Sequence, residues 1–247
     1  MKQARSTGPN NYVAAMVLAA VALFCAPISR GASEDDPLEE FNRAIFAFND
    51  GADALVLRPA ATIYRDFTPK PARAGVNNFF RNLYDFNVLL NASLQGRFGY
   101  ALDSAGRLVI NSTLGFFGFF DVATDMGIPQ YQTDFGHTLA IWGVPRGPYV
   151  MLPLLGPRTA RSTVGTGVDG WASPMGQAFA DEAEWTLRTF DIIDQRARLL
   201  GTDQLISGDR YLFIRDVYLQ QRNVLINDGK TSDEFSEFDA DWEEDGL

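Results

Sequence analysis

The chain has 247 residues, 46% hydrophobic and 21% charged, with 31 acids against 21 bases, one cysteine and one histidine. The composition is globular and long enough for a buried core. Cys25 and His137, each standing alone, exclude a disulfide framework, cysteine-rich metal sites and any site built on paired histidines. A pI near 4.6 argues against nucleic acid, whose binding rests on clustered cations that neutralise phosphates. The net charge of −10 combines +3 over residues 1–33, −5 over 34–40 and −8 over 228–247, with a neutral body at 41–227 of 17 acids and 17 bases. The acidic end reads as a solvated tail.

Taken in order, residues 1–33 read as an export signal. Lys2 and Arg5 precede an unbroken apolar stretch from Val13 to Ala26, which Pro27 ends. A spanning helix needs about 20 apolar residues, so this shorter run suits the hydrophobic region of a signal peptide. Two processing routes stay open. Cys25 can be the lipidated cysteine of a bacterial lipoprotein, although Phe24 stands where a small residue is usual. Alternatively, Gly31-Ala32-Ser33 offers small residues for an ordinary signal peptidase.

The body, 34–227, reads as mainly α. Asp36-Pro37 with Glu39 marks a helix start, with Asp36 as the capping side chain. Leu38, Phe41, Ile45, Phe48, Ala52 and Leu55 form one stripe of a helix of about 20 residues, ended by Arg58-Pro59. Phe46 lies off that stripe and gives the helix a second apolar side. Further helices are expected at 71–82, 86–97, 99–114, 117–125, 157–168, 182–200 and 209–227, the last capped by Asp209. Only Tyr149 to Leu155 resembles a strand, and Pro148 and Pro153 demote it to an extended loop.

Nine of the 19 phenylalanines fall between positions 79 and 135, and Gly115-Phe116-Phe117-Gly118-Phe119-Phe120 concentrates four of them. The glycines permit a tight reversal, so the segment reads as a helical hairpin with an apolar tip. A Phe-rich core explains such a cluster; so does a surface that sits in lipid. Lys70 is the only lysine of the body. Forked guanidinium groups suit phosphates, which makes Arg58, Arg65, Arg73 and Arg107 candidate head-group contacts.

Catalytic motifs are missing. Gly165 to Gly170 satisfies G-x-G-x-x-G by letter, but no strand precedes it and Trp171-Ala172-Ser173-Pro174 breaks the chain at once, so the glycines read as close-packing positions. A hydrolytic triad would have to combine His137 with Asp134 or Asp121 and a serine such as Ser104. The alternating acids of Asp239 to Asp245 end at Leu247 before a calcium loop can close.

The run Asp36-Pro37-Leu38-Glu39-Glu40-Phe41-Asn42-Arg43, followed by Phe48-Asn49, closely resembles the start of the MlaA family, also called VacJ. Further blocks match in order: Arg58-Pro59-Ala60 through Tyr64-Arg65-Asp66 to Pro69 and Arg73; Asn111 to Gly115 with Gly118 to Ala123; Phe135-Gly136 through Gly143-Val144 to Leu152-Pro153; and Arg196-Ala197 before Tyr211, Arg215 and Tyr218. His137 stands where the family generally has another polar residue. The resemblance implies a non-enzymatic lipid-transport component without cofactor: a flat ring of amphipathic helices in the periplasmic leaflet of the outer membrane. It also implies a central channel for misplaced phospholipid, a soluble periplasmic carrier that receives the lipid, and a trimeric porin as neighbour. On that reading Phe116, Phe117, Phe119 and Phe120 form a lipid-facing hairpin.

Overall fold

The computed structural model describes residues 36–227 apart from 179–180, 203–205 and 207. The expected leader at 1–33, with Cys25, and the expected acidic tail at 228–247 lie outside the described residues. Helices dominate the rest, and among the described residues none is long and apolar enough to cross a membrane.

The first helix runs further than its sequence suggests. Helix α1 (Glu39–Ala52) passes through a π-helical segment, Asp53–Leu57, into α2 (Arg58–Phe67), so Pro59 lies inside a continuous rod. A proline ring ordinarily clashes with the carbonyl one turn back. Here the wider π turn, in which the Arg58 N–H donates to the Asp53 carbonyl, opens the ladder beside it. Asp36 is not the helix cap either. The helix begins after Leu38, and the buried Asp36 carboxylate instead accepts from the Asn42 amide at 2.8 Å and from the Tyr211 hydroxyl. The predicted stripe also faces outward at Phe41, Phe48 and Leu55, the last 81% exposed. The off-stripe Phe46 packs inward, edge-on to Tyr211.

Residues 71–97 were expected as two helices. No breaker separates them at Leu83-Tyr84-Asp85, and they form most of one long helix, α3 (Lys70–Leu94). Its buried face is polar, with Asn82, Asp85, Asn87 and Asn91 beside Gly75, Val88 and Ala92. The amide nitrogen of each of these asparagines donates to another element or to the backbone of its own helix. Helix α4 (Phe98–Thr113) packs antiparallel along α3. The expected helix at 117–125 shrinks to α5 (Val122–Asp125), because residues 114–120 form an irregular turn.

Helix α6 (Phe135–Ile141) was not expected from the sequence; Asp134 caps it by accepting the His137 N–H at 2.8 Å. The Tyr149–Leu155 loop is corrected to a hairpin: β1 (Tyr149–Leu152) pairs antiparallel with β2 (Gly156–Thr159), with Tyr149 opposite Thr159. Pro148 and Pro153 sit just outside β1, so neither removes a donor from it. Helix α7 (Ala160–Ala172) follows, started by a reciprocal Thr159–Ser162 capping box. Then come α8 (Pro174–Ala178), α9 (Asp181–Arg198) and α10 (Arg210–Ile226), capped by Asp209.

A small core joins α1, the hairpin and α10. Tyr149, Met151, Tyr211 and Leu219 are buried together against Ile45, Phe46 and Tyr218. Asn42 ties α1 to the hairpin, donating to the Tyr149 carbonyl at 3.1 Å and accepting the Met151 N–H at 2.8 Å.

Candidate functional site

A cavity of about 420 Å³ lies between α3, the α6 cap, β2, α7, α8, α9 and α10. Its wall is mixed. Phe80, Leu83 and Met175 contribute apolar surface, while Asp134, Asp169, Asp191, Arg158, Arg188 and Arg222 contribute equal numbers of opposite charges.

The elements around it are held by close helix contact. Gly165 of α7 crosses Gly136 of α6 so tightly that a Cβ on Gly165 would lie 2.3 Å from the Gly136 nitrogen. That confirms Gly165 as a close-packing position. Asp169, inside the same glycine motif, accepts the Phe135 N–H at 2.8 Å and the Asn91 amide at 2.8 Å. Burial, with the negative Asp134 nearby, pushes its carboxyl up to about 6 against those hydrogen bonds. Asp134 goes the other way. Burial works to raise it, but a two-pronged pairing with Arg222 and the His137 backbone N–H hold it below the usual carboxylate range. Ser162 and Tyr218 close the wall through a 2.6 Å hydroxyl contact.

His137 lies behind this wall, fully buried, with Nδ1 at 3.1 Å from the Thr133 hydroxyl. Thr133 in turn accepts from Gln95 at 2.7 Å, and Gln95 also donates to Thr138. The Asp134 carboxylate serves Arg222 and the helix cap, and the Ser104 hydroxyl is buried.

The second feature is the aromatic turn. Phe116, Phe117 and Gly118 take left-handed φ values of 51°, 58° and 88° in succession, a conformation that costs an ordinary side chain about 1 kcal/mol or more. Gly118 has no room for a side chain, since a Cβ would stand 2.6 Å from that of Asn82. Phe116, Phe117 and Phe120 project outward, 70%, 71% and 61% exposed. Phe119 differs from the other three: its ring packs directly on Gly75 of α3.

Arg107 is corrected as a head-group candidate. It is 1% exposed. Its donors are engaged internally, by Asp85 at 3.2 Å, Thr124 at 3.0 Å, the Ile128 carbonyl at 2.9 Å and Asp121 at 2.8 and 3.0 Å. Arg107 therefore fixes the base of the aromatic turn. Burial works to raise Asp121, but the Thr124 hydroxyl, the Asn111 amide and Arg107 outweigh it and bring its carboxyl to about 2. Arg58 lies 3.4 Å from Asp53 and Arg65 pairs with Asp66 at 2.8 Å, both partly exposed. Arg73 borders a separate pocket with Lys70 and Arg198.

A family model described as MlaA lipoprotein matches residues 34–225. The chain belongs to the MlaA lipoprotein family. It is 37% identical over 211 residues to the intermembrane phospholipid transport system lipoprotein MlaA of Escherichia coli K12, covering 79% of this chain and 80% of the relative. It is 32% identical over 205 residues to the protein of the same description from Haemophilus influenzae, covering 79% and 81%. A solved MlaA structure, reported under "Structural basis for maintenance of bacterial outer membrane lipid asymmetry", superposes with a TM-score of 0.70 at 35% identity, over 77% of this chain and 98% of that one. The mainly helical fold, with one two-stranded sheet, is thus an MlaA fold. In MlaA terms the matched segments Asp36–Arg43 and Asn111–Asp121 are structural clamps: Asp36 and Asn42 hold the hairpin and α10, and Asn111 and Asp121 hold the aromatic turn. The sequence singled out Asp134 only as a possible triad member and gave no sign of the cavity. A helix cap at Asp134 was a legible signal, whereas nothing local marks Arg222 as its partner.

Proposed function

We propose that this chain moves phospholipid between membranes at the Gram-negative outer membrane, without covalent chemistry. The cavity carries that reading. A phospholipid combines acyl chains with a charged phosphate, and a wall of Phe80, Leu83 and Met175 beside balanced charges suits both parts.

The outer surface supports membrane placement. Large apolar side chains are exposed along the π-helical segment (Leu55, Val56) and α2 (Ile63, Phe67), along α4 (Phe98, Leu102, Val109) and at the aromatic turn. So many large apolar side chains are costly in water and favourable in a lipid leaflet. With no described helix able to span, an in-plane position in the periplasmic leaflet fits these faces, and Phe116, Phe117 and Phe120 would enter the acyl region. The partly exposed Arg58 and Arg65 would meet head groups. Lipid would leave the outer leaflet through the cavity to a soluble periplasmic carrier beside a trimeric porin; family resemblance supports those two partners.

Surface phospholipid in a deletion strain tests the function. It rises on deletion and returns to the native level with the wild-type gene and with His137→Ala. An unchanged level on deletion contradicts transport, and failure of a folded His137→Ala protein would point to hydrolysis.

A further inference from the structure

A second, smaller pocket of about 190 Å³ opens between the first turn of α3 and the last turns of α9, lined by Lys70, Arg73, Ala74, Asp194, Ala197 and Arg198. It shares no lining residue with the central cavity. Its charges do not balance. Asp194 is fully buried and already engaged, accepting from the Tyr64 hydroxyl at 2.9 Å and from Arg198. Asp66, a second carboxylate in electrostatic range of Arg73, is taken by Arg65 at 2.8 Å. Among the described residues no carboxylate pairs with Lys70 or Arg73, and the Arg73 Nε is buried without an acceptor. A buried donor with no partner, in a pocket with two surplus positive charges, calls for an anion with several acceptor oxygens.

The surroundings select the kind of anion. Helix α2, whose Tyr64 donates to Asp194 of the pocket wall, carries Ile63 and Phe67, exposed by 61% and 83%, shortly before Lys70. Apolar side chains next to unpaired cations match the boundary between acyl chains and phosphates. We propose that the pocket framed by Lys70, Arg73 and Arg198 binds the phosphate of an anionic lipid head group in the surrounding leaflet, as a lipid site separate from the cavity. It rests on the membrane placement given above and is independent of the route through the cavity.

The test is vesicle flotation of the purified protein, using phosphatidylcholine with and without phosphatidic acid. Phosphatidic acid raises the bound fraction, and Lys70→Gln and Arg73→Gln each lower that gain about fivefold, while Arg73→Lys retains part of it. Arg81→Gln, an exposed cation elsewhere on α3, leaves it unchanged. Lys70 is exposed, so its variant keeps the fold even if Arg73→Gln does not. Equal flotation of wild type and Lys70→Gln on phosphatidic acid overturns the site while leaving membrane placement intact. Absence of flotation on either vesicle overturns both. Displacement by inorganic phosphate at the lipid's own phosphate concentration overturns the lipid as ligand.

Discussion

One guanidinium nitrogen of Arg107 donates to both carboxylate oxygens of Asp121, at 2.8 and 3.0 Å, and this pair joins α4 to the far side of the exposed aromatic turn. The strained backbone at Phe116 and Phe117 persists because its base is held from several directions: Asn111 donates to Asp121 at 3.0 Å and accepts the Ala123 N–H at 2.9 Å, and Gln130 donates to Asp85.

Removing that guanidinium leaves Asp85 and Asp121 without their cation. Arg107→Met is expected to destabilise the fold by about 3 to 5 kcal/mol. Arg107→Lys recovers little, since an ammonium cannot reach Asp85, Thr124, Ile128 and Asp121 together. Urea denaturation measures both, and a loss below about 1 kcal/mol would make the cluster incidental.

The α6–α7 crossing makes Gly165 intolerant of a side chain. Gly165→Ala places a methyl 2.3 Å from the Gly136 nitrogen, and backbone cannot swing aside as a flexible side chain can. A cost of at least about 2 kcal/mol follows. Gly167, with nothing within 4 Å of an added Cβ, is the control: Gly167→Ala is neutral or mildly stabilising.

Asp169 and Asp121 give stability opposite pH dependences. The folded value of Asp169, about 6, lies above the ordinary carboxylate value, so the native state binds more protons between about pH 4 and pH 6. Its contribution is therefore fully present below pH 4 and lost as pH rises through 6. Relative to Asp169→Asn, the wild type loses about 2 to 3 kcal/mol across that window. Asp121, held at about 2, contributes above about pH 4 and loses about 2 kcal/mol as pH falls through 2. Melting wild type, Asp169→Asn and Asp121→Asn over a pH series measures each difference. A flat wild-type-minus-Asp169→Asn profile would refute the Asp169 assignment.

A charge on the exposed turn separates membrane insertion from folding. Phe117→Glu leaves the packed Phe119–Gly75 contact untouched, so its melting temperature stays close to that of wild type. Its partition onto neutral vesicles weakens by about 3 kcal/mol if the ring sits deep among acyl chains. Phe119→Glu should instead fail in folding. Equal vesicle binding by wild type and Phe117→Glu places the turn outside the leaflet.

The legible part of the molecule is its local part. Asp209 as a cap, the helices near 99–114, 182–200 and 209–227, and the apolar tip at Phe116 and Phe117 follow from neighbouring residues and their spacing. Long-range partners do not. The Asp36 carboxylate reads as a cap until Tyr211, 175 positions away, is seen to donate to it. Pro59 reads as a terminator because the π turn that accommodates it has no signature of its own. Arg107 reads as a surface cation, since only the fold brings Asp85 and Asp121 to either side of it. The cavity was hidden for the same reason, being assembled from segments as distant as Phe80 and Arg222.

The most direct measurement is surface phospholipid in a deletion strain complemented by wild type, by Thr166→Trp and by Thr166→Ser. Thr166 lines the cavity, and an indole there fills space a lipid would need. Transport through the cavity predicts that wild type and Thr166→Ser restore the native level, while Thr166→Trp, folded and membrane-localised, does not. Full restoration by Thr166→Trp would contradict it.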